Sequence, residues 1–364
     1  MRKKSISILL PDLRGGGAER VNLDLAHEFL RDGHEVEFVL MQARGELLAE
    51  TQAAFSVVDL NCPRARNLPR VLSRYLRQHR PDAMLAAMWP LTVIAPLMRL
   101  TGYRGRVVVS EHGILSAQYS SWGSIHRVAL RSSMAVSYRF AHARAGVSVG
   151  VADDLAALSG LSRAMFEVIH NPVPPRPTPS QQSLQNVDTL WAAPHGARIV
   201  SVGSMKPVKN HALLLRAFAK MGRPDARLML VGTGAGEADF RALAGDLGVA
   251  SQVIFAGFHP DPTPFYQTAD LFVLSSDYEG FGNVIVEALA CGTPVVSTDC
   301  PSGPAEILEK GKFGRLVPVR DAQALADAMQ QALAAPHDPA LLKQRASDFA
   351  PAIAAKRYLE LLCP

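Results

Sequence analysis

Residues 275–292, SSDYEGFGNVIVEALACG, decide the fold prediction for this chain of 364 residues. They follow a short apolar run, residues 269–274, of the kind that forms a buried parallel strand. Gly280 and Gly282 allow the backbone to turn sharply and to approach a ligand without an intervening Cβ. Asn283 is predicted to cap a helix that ends at Gly292. The stretch therefore predicts a strand, a tight loop and a helix in succession.

Two carboxylates flank the predicted N-terminus of this helix. Backbone N–H groups and the helix dipole make such a position suitable for an anion such as phosphate. Glu279 lies just before the loop, and Glu287 lies about one turn inside the helix. A carboxylate at Glu287 suits the diol of a ribose, and Glu279 suits a second polyol such as a sugar. The spacing alone leaves open that both are ordinary solvated acids near a helix end.

The segment EGFGNVIVE at residues 279–287, followed by ALACGTPVVSTD, resembles the signature of the retaining glycosyltransferases of family 4. The resemblance extends along nearly the whole chain. It implies an α/β GT-B fold, in which two Rossmann-like, doubly wound domains face a central cleft.

The length of the chain independently suggests two domains. We expect residues 1–172 to form an acceptor-binding domain and residues 191–351 a nucleotide-sugar-binding domain. Residues 173–190, rich in proline and then polar, are the predicted linker. By resemblance, a last helix at about residues 352–364 crosses back to the first domain.

The composition indicates a globular protein of a reducing compartment. The four cysteines have no metal-type or disulfide-framework spacing. The N-terminal apolar run is interrupted too early for a signal peptide. The longest uncharged run, residues 83–98, is too short to span a bilayer and contains two prolines. We expect a cytoplasmic protein without membrane-spanning segments or nucleic-acid partners.

Positive charge is concentrated in the first half of the chain. Residues 1–172 carry a net charge of +6 and the remainder −1. Four arginines recur at helical spacing on one side of an amphipathic pattern: Arg66, Arg70, Arg74 and Arg77. Such a helix can lie on an anionic membrane, here the inner face of the cytoplasmic membrane. An ordinary surface helix packed on the sheet is the alternative, and both descriptions can hold together.

The first glycine loop follows an apolar strand predicted at residues 5–10. Residues 15–21, GGGAERV, open a helix but do not form the Gly-x-Gly-x-x-Gly fingerprint, which disfavours a dehydrogenase. The loop suits a phosphate or is simply a tight turn. Its resemblance to the family's first loop implies that Gly16 and Gly17 face the donor diphosphate and that Glu19 faces the acceptor.

His112 follows a strand predicted at residues 106–111, where open α/β sheets bind ligands. Taken alone, it would more often be a structural loop histidine. The resemblance implies a catalytic position for His112 beside the donor sugar and the acceptor.

Lys209 precedes a predicted helix and is suited to a diphosphate. The family usually has an arginine where this chain has Ser204, and Lys206 either replaces that cation or is a solvated loop charge. Phe258 ends a predicted strand that, by resemblance, lies near the base of the donor, although an aromatic residue there is more often part of a core.

The resulting functional hypothesis is retaining transfer of a hexosyl or N-acetylhexosaminyl group from a nucleotide-diphosphate sugar to a glycan acceptor. A UDP-sugar is favoured, with guanosine second, and a lipid-linked acceptor would place the reaction in cell-surface polysaccharide or lipopolysaccharide synthesis. No cofactor or metal is expected, because a lysine and a helix end can stabilise the departing diphosphate. The alternatives are a sugar-nucleotide epimerase, a phosphorylase-like enzyme, and a non-catalytic nucleotide-sugar-binding protein.

The predicted catalytic residues are Glu279, His112 and Lys209, and the predicted acceptor-binding residues are Glu19 and His112. The predicted donor-binding residues are Gly16, Gly17, Lys206, Lys209, Phe258, Glu279, Gly280, Phe281, Gly282, Asn283, Val284 and Glu287.

Overall fold

The computed structural model describes residues 3–192 and 196–364, which form two compact units. Unit 1 comprises Met1–Pro174 and Phe349–Pro364, and unit 2 comprises Pro175–Asp348. In both units short apolar runs alternate with helical segments, and each strand pairs in parallel with its neighbours. Parallel strands need helical crossovers, which is why each sheet is covered by helices.

The strands of unit 1 are β1 (Ser5–Leu10), β2 (Glu35–Leu40), β3 (Ser56–Asp59), β4 (Ala83–Ala87), β5 (Arg106–Glu111), β6 (Ala143–Gly146) and β7 (Glu167–Val168). Its helices are α1 (Gly17–Arg31), α2 (Leu48–Ala54), α3 (Leu68–His79), α4 (Leu91–Leu97), α5 (Leu115–Gln118), α6 (Ser124–Ser137), α7 (Val149–Ser159) and, from the end of the chain, the helix Pro351–Leu362.

The sheet of unit 1 has the order β3-β2-β1-β4-β5-β6-β7. Successive residues of a strand face opposite sides of the sheet. Ile8 of β1 belongs to a core that includes residues of α1 and the helix Pro351–Leu362, whereas Ser7 is hydrogen-bonded to Tyr75 of α3 at 2.7 Å. Helices therefore cover both faces, as expected for a doubly wound sheet.

The strands of unit 2 are β8 (Arg198–Val202), β9 (Arg227–Val231), β10 (Val253–Gly257), β11 (Leu271–Leu274), β12 (Val295–Thr298) and β13 (Arg315–Val317). Its helices are α8 (Gln181–Trp191), α9 (His211–Lys220), α10 (Glu237–Asp246), α11 (Thr263–Gln267), α12 (Asn283–Cys291), α13 (Pro304–Ile307), α14 (Ala322–Ala334) and α15 (Pro339–Ser347). The helix Pro351–Leu362 of unit 1 is accordingly α16.

The sheet of unit 2 has the order β10-β9-β8-β11-β12-β13. In both sheets the winding direction changes once, between β1 and β4 in unit 1 and between β8 and β11 in unit 2. Crevices for ligands in open α/β sheets form at the carboxyl ends of the strands beside such a switch point. The loops after β1, β8 and β11 therefore lie beside these switch points.

Half of the predicted linker is instead a helix. Ser180 accepts a hydrogen bond from the backbone N–H of Ser183 and so caps α8. Trp191 at the end of α8 is fully buried, and its indole N–H donates to Thr268 at 3.0 Å. The polar sequence of residues 180–188 suggested a linker because α8 is amphipathic and buries only a narrow side.

Within the described residues, no helix combines the length and the apolar character needed to cross a bilayer.

Candidate active site

The switch point of unit 2 brings together the segments that follow β8 and β11. Lys209 ends a 3₁₀ turn, Pro207–Lys209, and its carbonyl accepts a hydrogen bond from Ser275 at 2.8 Å. Asn210 caps α9 and donates from its side chain to Asp277 at 3.0 Å. These contacts fix the backbone of Lys209 beside the end of β11.

Lys209 and Glu279 form an ion pair in this position. The Lys209 Nζ lies 2.6 Å from Glu279 Oε1, and Ser276 donates a hydrogen bond to the same oxygen at 2.5 Å. The side chains are 21% and 11% exposed, so the pair is accessible from one side only. A bound diphosphate would compete with Glu279 for the ammonium, while Ser276 would keep the carboxylate in place. The structure thus unites two residues that the sequence assigned to neighbouring parts of one ligand.

The loop that carries Glu279 is fixed by the loop after β12. The Glu279 N–H donates to the carbonyl of Pro301 at 2.8 Å, and the Ser302 N–H donates to the carbonyl of Glu279 at 3.1 Å. Gly303 has a φ of +104°, and a Cβ at this position would lie 1.9 Å from the carbonyl oxygen of Phe281. Only glycine permits this approach, and Phe281 is buried beneath it. The predicted donor residues Gly280 and Phe281 are therefore part of a loop whose backbone is held by contacts with the loop after β12.

The prediction that Asn283 caps α12 is wrong by one residue. Gly282 is the N-cap, with a φ of +102°, and Asn283 is the first helical residue. The loop requires a left-handed backbone at the cap, which glycine adopts without strain. Gly282, as a glycine, supplies no side-chain cap, and the positive end of the helix lies at Gly282, Asn283 and Val284. Gly292 ends the helix as predicted, with a φ of +79°.

Glu287 lies on α12 in an environment that the sequence did not reveal. The hydroxyl of Tyr266 donates to Glu287 Oε2 at 2.9 Å, and Arg176 Nη2 lies 3.7 Å from Oε1. Burial raises the pKa of Glu287, although the charge of Arg176 and the hydrogen bond from Tyr266 oppose the shift. The carboxylate is thus oriented by two side chains, as recognition of a diol requires. Neither Tyr266 in α11 nor Arg176 in the proline-rich segment stands out as a sequence signal.

Two other predicted donor residues of unit 2 are on the surface. Lys206 is exposed, and among the described residues it has no carboxylate partner within ion-pair distance. Phe258 follows Gly257 at the end of β10 and is 61% exposed. The alternative that Phe258 belongs to a core is therefore excluded, and its ring is available for stacking.

In unit 1, the glycine loop opens α1 as predicted. Gly16 is the N-cap and Gly17 the first helical residue. A Cβ on Gly16 would lie 2.4 Å from Oε2 of Glu19, so the carboxylate is folded back over the loop. This geometry is that of an acidic residue in the first turn of a helix. Glu19 therefore has a structural contact in addition to any role with an acceptor.

His112 directly follows β5 and is uncharged at neutral pH. Its Nε2 lies 3.3 Å from the hydroxyl of Ser110, which is in turn 2.7 Å from the hydroxyl of Tyr358 in α16. Its Nδ1 is buried and has no hydrogen-bond partner among the described residues. Burial lowers the pKa of His112 to about 4, and the polar side chain of Asn171 opposes the shift. His112 can therefore exchange hydrogen bonds with a hydroxyl but does not supply a positive charge.

Glu111, the residue before His112, is a buried carboxyl group that sequence reasoning missed. It accepts hydrogen bonds from the Thr92 hydroxyl, from the Trp89 N–H at 3.3 Å and from the Tyr138 hydroxyl at 3.4 Å. Burial raises its pKa to about 7, and the hydrogen bonds from Thr92, Trp89 and Tyr138 oppose this shift. The sequence signal that could have found Glu111 is the alternation of side chains along β5, which places Glu111 on the face of the sheet opposite Ser110.

Comparison with known proteins agrees with this arrangement. Residues 15–176 match the family described as Glycosyltransferase Family 4, and residues 192–349 match Glycosyl transferases group 1. The chain is 27% identical over 342 residues to the N-acetylgalactosamine-N,N'-diacetylbacillosaminyl-diphospho-undecaprenol 4-alpha-N-acetylgalactosaminyltransferase of Campylobacter jejuni, covering 91% of this chain and 90% of that protein.

A second relative is the GDP-mannose-dependent alpha-(1-6)-phosphatidylinositol monomannoside mannosyltransferase of Mycolicibacterium smegmatis. It is 30% identical over 300 residues, which cover 75% of this chain and 74% of that protein. Among solved structures, HepE of Anabaena in complex with UDP has a TM-score of 0.84 at 23% identity, covering 98% of this chain and 99% of that one.

These matches define a glycosyltransferase with the GT-B fold. The chain belongs to glycosyltransferase family 4, which confirms the resemblance noted in its sequence. The predicted fold class is likewise confirmed, because both units are parallel α/β domains.

Proposed function

We propose that the protein is a retaining glycosyltransferase that moves a hexosyl or N-acetylhexosaminyl group from a nucleotide-diphosphate sugar to a lipid-linked glycan. The observation that carries the proposal is the Lys209–Glu279 pair, in which Glu279 belongs to the loop that leads into the N-terminus of α12. A cation, a helix end and a carboxylate next to one another suit a ligand with both phosphates and hydroxyls.

The donor is assigned mainly to unit 2. Lys209 and the backbone of Gly282, Asn283 and Val284 bind the diphosphate, as helix N-termini commonly do. Glu279 accepts hydrogen bonds from the sugar hydroxyls, and Glu287, oriented by Tyr266, accepts them from the ribose. Further contacts with the donor are assigned to Gly280 and Phe281 in the loop and to Lys206. Phe258 is assigned as a stacking surface. In unit 1, donor contacts are assigned to Gly16 and Gly17.

The chemical step is front-side displacement at the anomeric carbon. The acceptor hydroxyl forms the new C–O bond on the face from which the diphosphate departs, so the configuration is retained. The hydroxyl proton passes to the departing phosphate oxygen. Lys209 and the positive end of α12 stabilise the charge that develops on this group, without metal or cofactor. In unit 1, Glu19 and the neutral imidazole of His112 are assigned to the acceptor.

A UDP-sugar is the favoured donor. The HepE structure, of the same fold, contains UDP, whereas the mycobacterial relative uses GDP-mannose, so both nucleotides belong in any screen. The names of both relatives include a lipid, a diphospho-undecaprenol in one and a phosphatidylinositol in the other. A lipid-linked acceptor of this kind would place the enzyme in cell-surface polysaccharide or lipopolysaccharide synthesis.

The lipid-linked acceptor implies that the protein works at the cytoplasmic face of a membrane. Arg66, Arg70, Arg74 and Arg77 are exposed, while the apolar residues Leu68, Leu72, Tyr75 and Leu76 of α3 are buried. These arginines are suited to the headgroups of anionic lipids. We assign them as the electrostatic contact of a peripheral membrane protein.

The test is a donor screen with purified protein, comparing UDP-glucose, UDP-N-acetylglucosamine, UDP-N-acetylgalactosamine and GDP-mannose with lipid-linked acceptors. Mass spectrometry should detect nucleotide diphosphate and an elongated acceptor in equal amounts, and NMR should show the anomeric configuration of the donor. Glu279→Gln should remove most of the turnover, and EDTA should not. Isomerisation of a donor without acceptor, inversion of the linkage or undiminished activity of Glu279→Gln would overturn the proposal.

A further inference from the structure

Three aromatic side chains form a cluster at the carboxyl edge of the unit 1 sheet. Trp89 follows β4, while Tyr119 and Trp122 lie between β5 and α6. The ring centroids of Tyr119 and Trp122 are 4.2 Å apart, and that of Trp89 lies 5.3 Å from Tyr119 and 5.5 Å from Trp122. All three residues are partly exposed, whereas Trp191, the remaining tryptophan of the chain, is fully buried in unit 2. This aromatic cluster therefore leaves ring surface exposed to solvent.

The aromatic cluster is held against the strand end that leads into His112. The backbone N–H of Trp89 donates to Glu111, the residue before His112, at 3.3 Å. The side chain of Gln118 donates to the Tyr119 hydroxyl at 3.3 Å. Its Oε1 lies against the glycine after His112, where a Cβ would be 3.4 Å away. The residues on both sides of His112 are thus in contact with the segments that carry the cluster.

Uncharged polar groups accompany the rings. The indole N–H of Trp89 is shielded from solvent and has no acceptor among the described residues. Buried donors are nearly always paired, so an unpaired donor in a surface cluster is a feature of a site that a ligand completes. The amide of Gln118 is exposed beside Tyr119, and the imidazole of His112 is neutral. Ring faces next to neutral hydrogen-bonding groups suit a molecule that has both a C–H surface and hydroxyl groups.

A pyranose ring is a molecule of this kind. Its axial C–H bonds form an apolar face that packs on an aromatic ring, whose face carries partial negative charge. Its hydroxyl groups point outward and exchange hydrogen bonds with amides and imidazoles. A hydrocarbon chain would cover the rings equally well, but it would leave the indole N–H of Trp89 unpaired and would desolvate the amide of Gln118.

We propose that the aromatic cluster binds a pyranose ring of the glycan acceptor by stacking, beside the neutral imidazole of His112. Trp89, Tyr119 and Trp122 are then acceptor-binding residues in addition to Glu19 and His112. The inference rests on the proposed function, which assigns the acceptor to unit 1. It also narrows the class of substrate, because the acceptor has to present the C–H face of a pyranose to the rings.

The first experiment measures sugar binding without turnover. Two of the three tryptophans belong to the cluster and the third is buried, so the intrinsic fluorescence of the protein reports mainly on the cluster. The protein is titrated with the methyl glycosides of glucose, galactose, N-acetylglucosamine and N-acetylgalactosamine, and with the acyclic polyol sorbitol as the control. At least one glycoside should change the emission saturably at roughly millimolar concentration, and sorbitol should not. No saturable change with any glycoside, or an equal change in Trp122→Leu, would overturn the proposal.

The second experiment compares aromatic variants in the transfer reaction, with the lipid-linked acceptor and with a short-chain, water-soluble analogue of the same glycan. Trp122→Leu keeps apolar bulk but no ring, and it should raise the KM for both acceptors about tenfold while the KM for the donor stays unchanged. Trp122→Phe keeps a ring and should raise the acceptor KM no more than about threefold. Tyr119→Leu should act like Trp122→Leu. Its matched control is Tyr103→Leu, at a partly exposed tyrosine before the amino end of β5, which should leave the acceptor KM unchanged.

The variants also separate stacking from other roles of the rings. Equal effects of Trp122→Leu and Trp122→Phe would indicate a structural role and would overturn the inference. An increase in KM confined to the lipid-linked acceptor, or a loss of vesicle binding with an unchanged KM for the short-chain analogue, would show that the rings contact lipid and would also overturn it. Absence of transfer by the wild type would contradict the proposed function instead, and the glycoside titration would still decide whether the cluster binds a sugar.

Discussion

The two units differ most in the electrostatics of their candidate sites, although both place these residues after the carboxyl ends of similarly ordered strands. In unit 2, Lys209 and Glu279 form a partly exposed ion pair. In unit 1, His112 is uncharged at neutral pH and follows Glu111, a buried carboxyl group. Charge suits a diphosphate, whereas neutral polar groups suit a hydroxyl. One topology thus supports two kinds of site, because the loops and strand ends supply the chemistry.

The largest effect that this comparison predicts is the loss of Lys209. Lys209→Ala should lower kcat/KM about 100- to 1000-fold, because it removes a charge that stabilises the departing diphosphate. Lys220→Ala is the control, since Lys220 is an exposed lysine at the far end of α9, and it should change the rate no more than a few-fold. Nucleotide release gives both rates. Similar losses in the two variants would show that general positive charge, and not the pair with Glu279, matters.

The buried acid of unit 1 should appear in the pH dependence of stability. Burial raises the pKa of Glu111 from 4.5 to about 7, so the folded state holds the proton more tightly than the unfolded state. The contribution of protonated Glu111 to the free energy of unfolding is fully present below about pH 4.5 and is lost as the pH rises through 7. The loss is roughly 3 kcal/mol.

Glu111→Gln cannot lose a proton, so relative to wild type the variant should gain about that much stability between pH 5 and pH 8. Calorimetry of both proteins at the two pH values measures the difference. A constant difference across this range would contradict the assignment.

A smaller effect is expected for the residue that orients Glu287. Tyr266→Phe removes the hydrogen bond to this carboxylate, and a bond to a charged group is worth about tenfold or more in binding. The KM for the donor should rise by about that factor, with kcat nearly unchanged. Tyr358→Phe removes an analogous buried hydroxyl contact, to Ser110 in unit 1, and should leave the donor KM unchanged. Equal changes in both variants would indicate a general loss of stability.

The smallest expected effect concerns His112, whose ring is expected not to change its protonation near neutral pH. Because burial lowers the pKa of His112 to about 4, its ring should stay neutral from pH 5.5 to pH 8. NMR of the histidine rings, with the signal assigned by its absence in His112→Gln, should show constant shifts over this range. A midpoint between pH 6 and pH 7 would mean that His112 is more exposed to solvent than described, and the contrast between the two units would weaken.

Local signals predicted the fold and the main loops well. The apolar run of β1 and the glycine at the end of α12 act on the backbone within a few residues of their own positions. Both features were therefore predicted from the sequence. The motif from Glu279 to Glu287 and the lysine before α9 were recognised for the same reason. The ion pair between Lys209 and Glu279 was not, since the two residues lie 70 positions apart and only the winding of the sheet brings them together.

The errors have equally physical causes. The cap of α12 was assigned to Asn283 because asparagine is a good capping residue, but the left-handed backbone falls on Gly282. Helix α8 was not predicted because its sequence is largely polar and its buried contacts depend on Trp191. Tyr266 and Arg176 could not be found, because nothing in their own sequence neighbourhoods marks them as partners of Glu287.

The composition of unit 1 from two separate parts of the chain has a consequence for biosynthesis. The ribosome releases the N-terminal residues first, yet the core they form also needs Ala355, Tyr358 and Leu359 of α16. Unit 2 is continuous and is translated completely before α16. Synthesis of unit 1 thus begins before that of unit 2 and is completed after it, and a nascent chain arrested before residue 351 would display the unfilled side of the unit 1 sheet to chaperones.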